Sequence, residues 1–354
     1  MRRSRWAAAI TAWSLVGVLA LTTSGVAAPS SKRRARVATR YIVSQQQADG
    51  SIPSFSAIGS TADGILALAA ARRAPGAIDS AVSYLESHSD EVDKVGEKAK
   101  AALALMAVGR DPRDFDESDL VAEISDALTS GGRYGDDSFS YVFDQALAIL
   151  ALEGAGEDVP QEAIEWLVQA QCRDGGWQFD RRSSNDDNKH CADGRPDDFT
   201  VSDTNTTSYA LQALASVDDL LILAHSPWGF FRDARDRFKN GWVFAPQFAC
   251  GPGEAPPGCS VTDANSTALV LQALVAGERN VPNKAARSLR DLQYRLCGEN
   301  AGAFAITWMP TDDGLRKSGA DIGATIGVVQ GLLEKPLPLP AASVTKPAPT
   351  PGAC

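Results

Sequence analysis

Two short clusters in the second half of the chain combine carboxylate, amide and hydroxyl groups in one order, Asp-x-Asn-x-Thr. They span residues 203–207 and 263–267, and a third cluster at 321–325 keeps the aspartate and the threonine. The oxygens of such side chains can cap a helix by accepting from its free first-turn N–H groups, and they can equally hydrogen-bond a ligand. The candidate ligand-binding residues are Asp203, Asn205, Asp263, Asn265 and Asp321.

A further polar group precedes an Ala/Leu-rich run earlier in the chain. It consists of Tyr141, Asp144 and Gln145. Because the same kind of apolar run follows the clusters above, we expect these three side chains to share their rim and to contact the same ligand.

The polar clusters introduce copies of one Ala/Leu-rich segment that recurs six times. The copies begin at Thr61, Lys98, Gln145, Thr207, Thr267 and Thr325, at steps of 37, 47, 62, 60 and 58 residues. Self-similarity of this kind indicates a repeat array with growing insertions. The copies are apolar nearly all round, which is typical of helices buried on every side.

Between these copies lie amphipathic patterns, typical of helices with one buried face. They span residues 33–47, 77–88, 117–129, 160–171, 228–239 and 282–296. Six buried helices that alternate with six amphipathic ones predict an all-α fold, a six-over-six α/α toroid of two concentric rings. Parallel inner helices would gather their starting ends, and with them the polar clusters, at one mouth.

Both ends of the chain differ from this domain. Residues 1–28 have three arginines, an apolar run and a small-residue end, the layout of a secretory signal peptide, so we expect a secreted, extracellular protein. No other apolar run approaches the ~20 residues that a membrane span needs. We assign residues 29–334 to the toroid, and residues 335–354, rich in proline, to an extended C-terminal tail.

Charge and cysteine content limit the kinds of partner, disulfide and metal site that the chain can have. The formal net charge is −10, and removal of residues 1–28 takes it to about −13, which disfavours nucleic acid and anionic membranes as partners. An even number of cysteines in an exported chain favours disulfides, and no Cys-x-x-Cys spacing suggests a zinc site. Neighbours in sequence suggest the pairs Cys172 with Cys191, Cys250 with Cys259, and, by remainder, Cys297 with Cys354.

One motif resembles a known family. Residues 171–179, Gln-Cys-Arg-Asp-Gly-Gly-Trp-Gln-Phe, resemble the Gln/Trp motif of squalene and oxidosqualene cyclases and the glycine-aromatic repeats of protein prenyltransferase β subunits. Weaker copies stand at residues 47–51, 240–244 and 293–304. The resemblance implies membership of the terpenoid cyclase and protein prenyltransferase α/α-toroid superfamily, in which this motif staples adjacent helices. We therefore expect Trp177 to be structural.

The inner segments carry a second resemblance. Residues 143–152 and 203–214 resemble inner helices of the transcobalamin and intrinsic-factor family, secreted toroids that hold cobalamin at the mouth. That family closes its ligand with a C-terminal β domain, and nothing after Leu333 could form one here. A corrinoid would therefore need a separate lid domain or partner.

The catalytic sets that these resemblances imply are incomplete. Aligned on the Thr-x-x-Ala-Leu step, the cyclase proton donor falls at Asn205, and an amide cannot supply that proton. Asp203 would be the catalytic acid if the chain is an enzyme, although no Asp-x-Asp-Asp run occurs in the toroid. The three histidines do not complete a prenyltransferase zinc set, so we expect no metal and no cofactor.

Two further sites stay open at this point. The acidic loop at residues 185–198 lacks the register of an EF-hand, so we predict a solvated loop, with calcium binding as the alternative. Asp144, Asp203 and Asp263 also supply carboxylates from which a glycoside-hydrolysing pair could be drawn.

The leading hypothesis is a secreted, non-catalytic toroid that binds a bulky small molecule, an isoprenoid or a corrinoid, at the mouth of the inner ring. Rim side chains would orient the ligand, and apolar walls would supply most of the affinity. Two alternatives remain: a divergent terpenoid cyclase or prenyltransferase-like enzyme at the same cavity, and an extracellular interaction module with a collapsed centre.

Overall fold

The computed structural model describes residues 30–135, 141–179, 201–251 and 253–350. In this part of the chain, helices alternate between an outer and an inner ring. The outer helices are α1 (Ser31–Gln45), α3 (Pro75–Ser87), α5 (Leu120–Asp126), α7 (Gln161–Gln169), α9 (Pro227–Asp233) and α11 (Asn283–Leu292). The inner helices are α2 (Ala57–Ala71), α4 (Val95–Ala107), α6 (Val142–Gly154), α8 (Thr204–Ser216), α10 (Ala264–Ala276) and α12 (Ile322–Leu333).

The inner ring is closed. Each inner helix packs against the next one along the chain, and α12 packs against α2. An open superhelix would lack this last contact. The predicted all-α, six-over-six toroid is therefore confirmed.

Small and apolar residues allow the inner helices to pack on every side. In α6, the seven residues 146–152 are each at most 1% exposed. At Gly331 of α12, a Cβ atom would lie 2.6 Å from the Cα of Ala268 in α10, so only glycine permits this approach of two inner helices. The apolar repeat thus becomes a ring of tightly packed walls.

The Gln/Trp segment joins neighbouring repeats. The fully buried Trp177 donates from Nε1 to the Leu167 carbonyl at 2.8 Å. The side chain of Gln171 donates to the carbonyl of Gly175 and, at 2.8 Å, to that of His225, which precedes α9. These bonds tie α7 to the next outer helix, the stapling role that the motif predicts.

Four of the repeat copies begin with a threonine. In each, the threonine Oγ1 accepts a hydrogen bond from the segment that leads into the inner helix. The backbone N–H of Trp177 donates to Thr207 Oγ1 at 2.9 Å. Equivalent bonds of 2.8 to 2.9 Å link Ile52 to Thr61, Trp242 to Thr267 and Phe304 to Thr325. The repeated hydroxyl therefore anchors the outer connection to the inner ring.

Several outer helices are shorter than their amphipathic patterns predict. The pattern at residues 228–239 predicts a long helix, whereas α9 ends at Asp233. The buried carboxylate of Asp236 accepts from the backbone N–H groups of Phe238 and Lys239 at 2.7 and 2.8 Å, which forms a turn in place of helix.

Short strands and one described disulfide shape the connections. The paired strands are β1 (Trp177–Gln178) with β2 (Ser202–Asp203), β3 (Phe304–Ala305) with β6 (Ala320–Asp321), and β4 (Trp308–Thr311) with β5 (Gly314–Lys317). Cys250 and Cys259 are disulfide-bonded, which confirms that predicted pair. Cys172 and Cys297 each take part in a disulfide, and the partners predicted for them, Cys191 and Cys354, lie outside the described residues.

The C-terminal strap, residues 335–350, crosses the ends of the inner helices opposite the mouth. Its Leu337 N–H donates to Gln212 of α8 at 2.9 Å, and its Ala342 N–H donates to the Ala107 carbonyl at the end of α4 at 3.0 Å. Farther along, the Lys346 carbonyl accepts from the N–H of Ala74, just after α2, at 2.8 Å. The strap therefore covers the base of the toroid.

Two sequence predictions concern segments outside this description. The signal peptide, residues 1–28, and the acidic loop, residues 185–198, both lie outside the described residues. Within the described ranges, no helix combines the length and apolarity that crossing a bilayer requires.

Candidate functional site

A cavity of about 220 Å³ lies inside the inner ring, towards the starting ends of its helices. Side chains therefore do not fill the centre of the ring, in contrast to the collapsed-centre alternative. The lining residues are Ser54, Phe55, Ser60, Asp63, Lys100, Phe143, Asn205, Tyr209, Asn265, Leu269, Gln272, Gly323, Ile326, Gly327 and Gln330. Eight of these fifteen carry amide, hydroxyl or charged groups other than phenol, so polar side chains are interspersed with the apolar wall.

Helical spacing explains which residues face the cavity. Residues four and then three positions apart lie on one face of a helix. On α10 that face presents Asn265, Leu269 and Gln272, and on α12 it presents Gly323, Gly327 and Gln330 at the equivalent repeat positions. The cavity therefore has levels, with residues 265 and 323 nearer the mouth and the glutamines deeper.

One ion pair lies in the cavity wall. Lys100 Nζ is 2.6 Å from Asp63 Oδ2, and the two side chains are 16% and 31% exposed. Burial, the largest single effect, would lower the pKa of Lys100, but the charge and hydrogen bond of Asp63 together with the charges of Tyr209 and Asp144 outweigh it, and the pKa of Lys100 lies above its usual value. The ammonium group is therefore charged at neutral pH, and it also lies 5.4 Å from the centre of the Phe143 ring.

Tyr209 faces this pair from α8. Burial, reinforced by the charge of Asp63, raises the pKa of the Tyr209 phenol to about 12. Its ring meets that of Phe143 edge-on, with ring centres 4.8 Å apart. Tyr209 therefore contributes a neutral phenol to the wall.

Three polar side-chain atoms of the lining residues have no hydrogen-bond partner among the described residues. They are Asn205 Oδ1, Gln272 Oε1 and Gln330 Nε2. The Gln272 and Gln330 residues are only 1% and 9% exposed. Gln212, at the equivalent position of α8, differs because its Oε1 accepts from the strap residue Leu337. Buried polar groups are normally paired, so three unpaired atoms on residues that line one cavity are unusual.

The mouth of the cavity has an aromatic side chain at its edge. Phe55 precedes α2 and is 94% exposed, although it also lines the cavity. A Cβ atom at Gly323 would lie 3.8 Å from the Phe55 ring and 2.7 Å from Ser54 Oγ. The loop before α2 therefore lies over the start of α12.

The structure separates the sequence-predicted cluster residues into two groups. Asn205 and Asn265 line the cavity. The carboxylates of Asp203, Asp263 and Asp321 instead cap α8, α10 and α12, each accepting from a backbone N–H of the first turn at 2.7 to 2.8 Å. Asp203 is 2% exposed, and its burial raises the pKa of its carboxyl to about 6.

The predicted residues around α6 also lie outside the lining. Tyr141 packs on Phe179, with ring centres 4.8 Å apart. The half-buried Asp144 lies against Gly96 of α4, and its pKa is raised to about 6 by burial, against the opposing charge of Lys100. Gln145 is fully buried in the wall, where it bonds to three backbone groups.

Several lining residues were missed by sequence reasoning. Asp63 and Lys100 interrupt Ala/Leu-rich segments, and they are separated by 37 residues, the step between the first two repeat copies. This equality was a usable signal, since equivalent positions of adjacent inner helices lie side by side. Tyr209 occupies the same repeat position as Asp63 and Lys100. Gln272 and Gln330 share one position three residues farther along their copies. No group of His, Cys, Asp or Glu residues suited to a metal ion occurs within the described ranges.

No protein-family model and no curated protein matches the sequence. Solved structures do match the fold. An unsaturated glucuronyl hydrolase from Streptococcus agalactiae aligns with a TM-score of 0.58 at 10% identity, over 86% of this chain and 91% of that one. The type II terpene cyclase MstE from Scytonema, in complex with geranylgeranyl dihydroxybenzoate, aligns at 0.53 and 13% identity, over 86% and 97% of the two chains.

A third neighbour is an inactive variant of the α-1,6-mannanase GH76A of a Salegentibacter species, in complex with α-1,6-mannotetrose. It aligns with a TM-score of 0.53 at 10% identity, over 87% of this chain and 99% of that one. These neighbours support the α/α-toroid architecture. None of the three is a cobalamin carrier, so the predicted similarity to the transcobalamin family gains no support from them.

Proposed function

We propose that this protein is an exported α/α toroid that binds a small molecule in its central cavity. The observation that supports the proposal is the set of unpaired buried atoms on Asn205, Gln272 and Gln330. An unpaired buried polar group costs about 1–3 kcal/mol. A ligand toward which the three amide side chains turn would recover this free energy, whereas a purely structural ring would gain more from apolar residues there.

The dimensions of the cavity limit the ligand. The cavity opens at its mouth and holds about 220 Å³, which is below the ~300–1,000 Å³ of sites for drug-sized molecules. A corrinoid is much larger than this space. An isoprenoid could enter only in part, with the rest of its chain passing Phe55 at the mouth.

Export is proposed from the N-terminal segment alone. Arg2, Arg3 and Arg5 followed by an apolar run and small residues have the layout of a signal peptide. The Cys250–Cys259 disulfide suits an oxidising compartment and supports the same proposal.

A catalytic role at the cavity is the second candidate, and the feature that favours it is Asp144, whose carboxyl lies outside the lining and would act on a ligand through Lys100. Its carboxyl, with a pKa of about 6, interacts with the cavity residue Lys100. A carboxyl group that titrates near neutrality can donate and accept protons. Under this alternative, Asp144→Asn would bind the cavity ligand normally but fail to convert it; an unchanged conversion rate would exclude the role. Asp203, the acid predicted for an enzyme, caps α8 instead.

Ligand binding is tested by filling the cavity from Gly327. The change Gly327→Leu places a side chain in the lining, while Gly76→Leu on the outer helix α3 meets nothing within 4 Å and serves as its control. A metabolite library is screened by thermal shift against both variants and the natural sequence. We expect ligands that stabilise the natural sequence and Gly76→Leu but not Gly327→Leu. Ligands that act equally on all three proteins, or no ligand at all, would contradict the proposal.

A further inference from the structure

We propose that the occupant of the central cavity is a neutral, hydroxyl-rich ring, of the size of a monosaccharide or a cyclic polyol. This inference rests on the ligand binding proposed above. It replaces the isoprenoid or corrinoid expected from sequence, because four amide side chains line the cavity and three of them carry an unpaired polar atom.

The unpaired atoms are of mixed type. Asn205 Oδ1 and Gln272 Oε1 are acceptors, and Gln330 Nε2 is a donor. A hydroxyl group donates and accepts, so hydroxyls can pair with all three atoms whichever way each amide turns. A carboxylate only accepts and would leave two atoms unpaired, and a hydrocarbon chain would leave all three unpaired.

The three atoms are also distributed around the ring. They lie on α8, α10 and α12, which are consecutive inner helices. A ligand that reaches all of them must carry polar groups along much of its edge. A substituted ring does so, whereas a prenyl or fatty alcohol is polar at one end only.

The charge of the lining favours a neutral ligand. The charged residues that line the cavity are Asp63 and Lys100, and they pair with each other at 2.6 Å. An ionic ligand would have to compete with this pair for its counter-charge. A hydroxylated ligand can instead accept from the ammonium and donate to the carboxylate without separating them.

The shape of the cavity favours a flat-faced ligand. Gly323 and Gly327 leave the cavity face of α12 without side chains at two levels. Across the ring, on α6, Phe143 supplies an aromatic surface. The carbon skeleton of a ring can pack between these surfaces while its hydroxyls meet the amides. The cavity volume of about 220 Å³ accommodates one such ring rather than a chain of them.

Binding to four probes tests this chemistry on the mature chain. The probes are methyl α-D-glucopyranoside and myo-inositol, which are neutral polyols, D-glucuronate, which is anionic, and farnesol, a prenyl alcohol. Saturation-transfer NMR and calorimetry should detect at least one neutral polyol and not farnesol. Gln272→Leu and Gln330→Leu should each weaken its binding about 5–10-fold, the equivalent of one hydrogen bond. The exposed Gln161→Leu on α7 should leave it unchanged.

Each other result overturns the inference. Binding of farnesol without a polyol would mean an apolar ligand, with the cavity function intact. A preference for D-glucuronate would mean an anionic one. If none of the probes binds, the ligand class is wrong, and the separate Gly327→Leu screen decides whether the cavity function also fails. Should Gln272→Leu not fold, Gly327→Ala, whose methyl would lie 3.0 Å from Asn265 Oδ1, tests the same contact region.

Discussion

Lys100 of α4 donates a hydrogen bond of 2.6 Å to Asp63 of α2, and both side chains line the central cavity. The two residues occupy equivalent positions in consecutive repeats. Elsewhere the inner faces of the repeats are mainly apolar or carry amides. The ion pair therefore stands out where the neighbouring inner helices α2 and α4 meet.

Removal of the ammonium group from this pair should destabilise the fold. Lys100→Met would leave the Asp63 carboxylate in the wall without its counter-charge, and we expect a loss of about 1–3 kcal/mol in the free energy of unfolding. The control is Arg232→Met on α9, whose ion pair with Asp233 has side chains that are 69% and 58% exposed. This exposed pair should contribute about 0–1 kcal/mol. Urea unfolding measures both, and equal losses would contradict the special role of the cavity pair.

Much of the architecture was predictable because it depends on periodicity. Six copies of a segment that is apolar nearly all round require partners on every side, and a closed ring provides them. Helix ends were less predictable, since the turn at Asp236 depends on side-chain to backbone bonds with no periodic signature. The position of Asn205 and Asn265 at the mouth was predictable, because parallel inner helices bring their starting ends together.

The rest of the candidate site depends on contacts between repeats. From sequence, Asp203 could either cap a helix or contact a ligand. The folded backbone decides between these roles, because it places the Thr206 N–H where the Asp203 carboxylate accepts from it. Gln145 occupies the repeat position that holds threonine in four other copies, and it receives the incoming Tyr134 N–H as those threonines receive theirs. A sequence comparison of the copies could have indicated this structural role.

Replacement of Gln145 should therefore impair folding rather than ligand binding. Its side chain donates to the carbonyls of Gly132 and Ala163 and accepts from Tyr134, with distances of 2.8 to 3.0 Å. Gln145→Leu leaves three buried backbone groups without partners, and we expect a loss of about 3–5 kcal/mol. Thermal and chemical unfolding test this, with the exposed Gln161→Leu as control. A well-folded Gln145→Leu protein that lost only ligand affinity would restore the rim role.

Asp203 should make stability depend on pH. Burial raises the pKa of its carboxyl from 3.8 to about 6, so the folded state binds this proton more tightly than the unfolded state does. The contribution to stability is therefore greatest below about pH 4, falls as the pH rises to about 6, and is constant above that. Asp203→Asn keeps a good N-cap and removes the buried charge.

The measurement is the free energy of unfolding at pH 4 and pH 7.5. At each pH the free energy of unfolding of Asp203→Asn is compared with that of the natural sequence. This difference should favour the variant by about 1–3 kcal/mol more at pH 7.5 than at pH 4. Asp79→Asn, at an exposed position of α3, controls for the loss of one carboxylate. The same pH difference in both variants would mean that burial of Asp203 is not the cause.

The strap should be required for the stability of the inner ring. Its Leu337 and Leu339 are buried against the base, and the Leu337 N–H is the partner of Gln212, whose equivalents on α10 and α12 face the cavity. Leu337→Ala removes buried side-chain volume and should cost about 2–4 kcal/mol. Thr345→Ala, at an exposed position of the strap, should cost less than about 0.5 kcal/mol. Because the strap closes the base, Leu337→Ala should also speed proteolytic cleavage within residues 335–350. Unchanged stability and cleavage would show that the ring holds its shape without the strap.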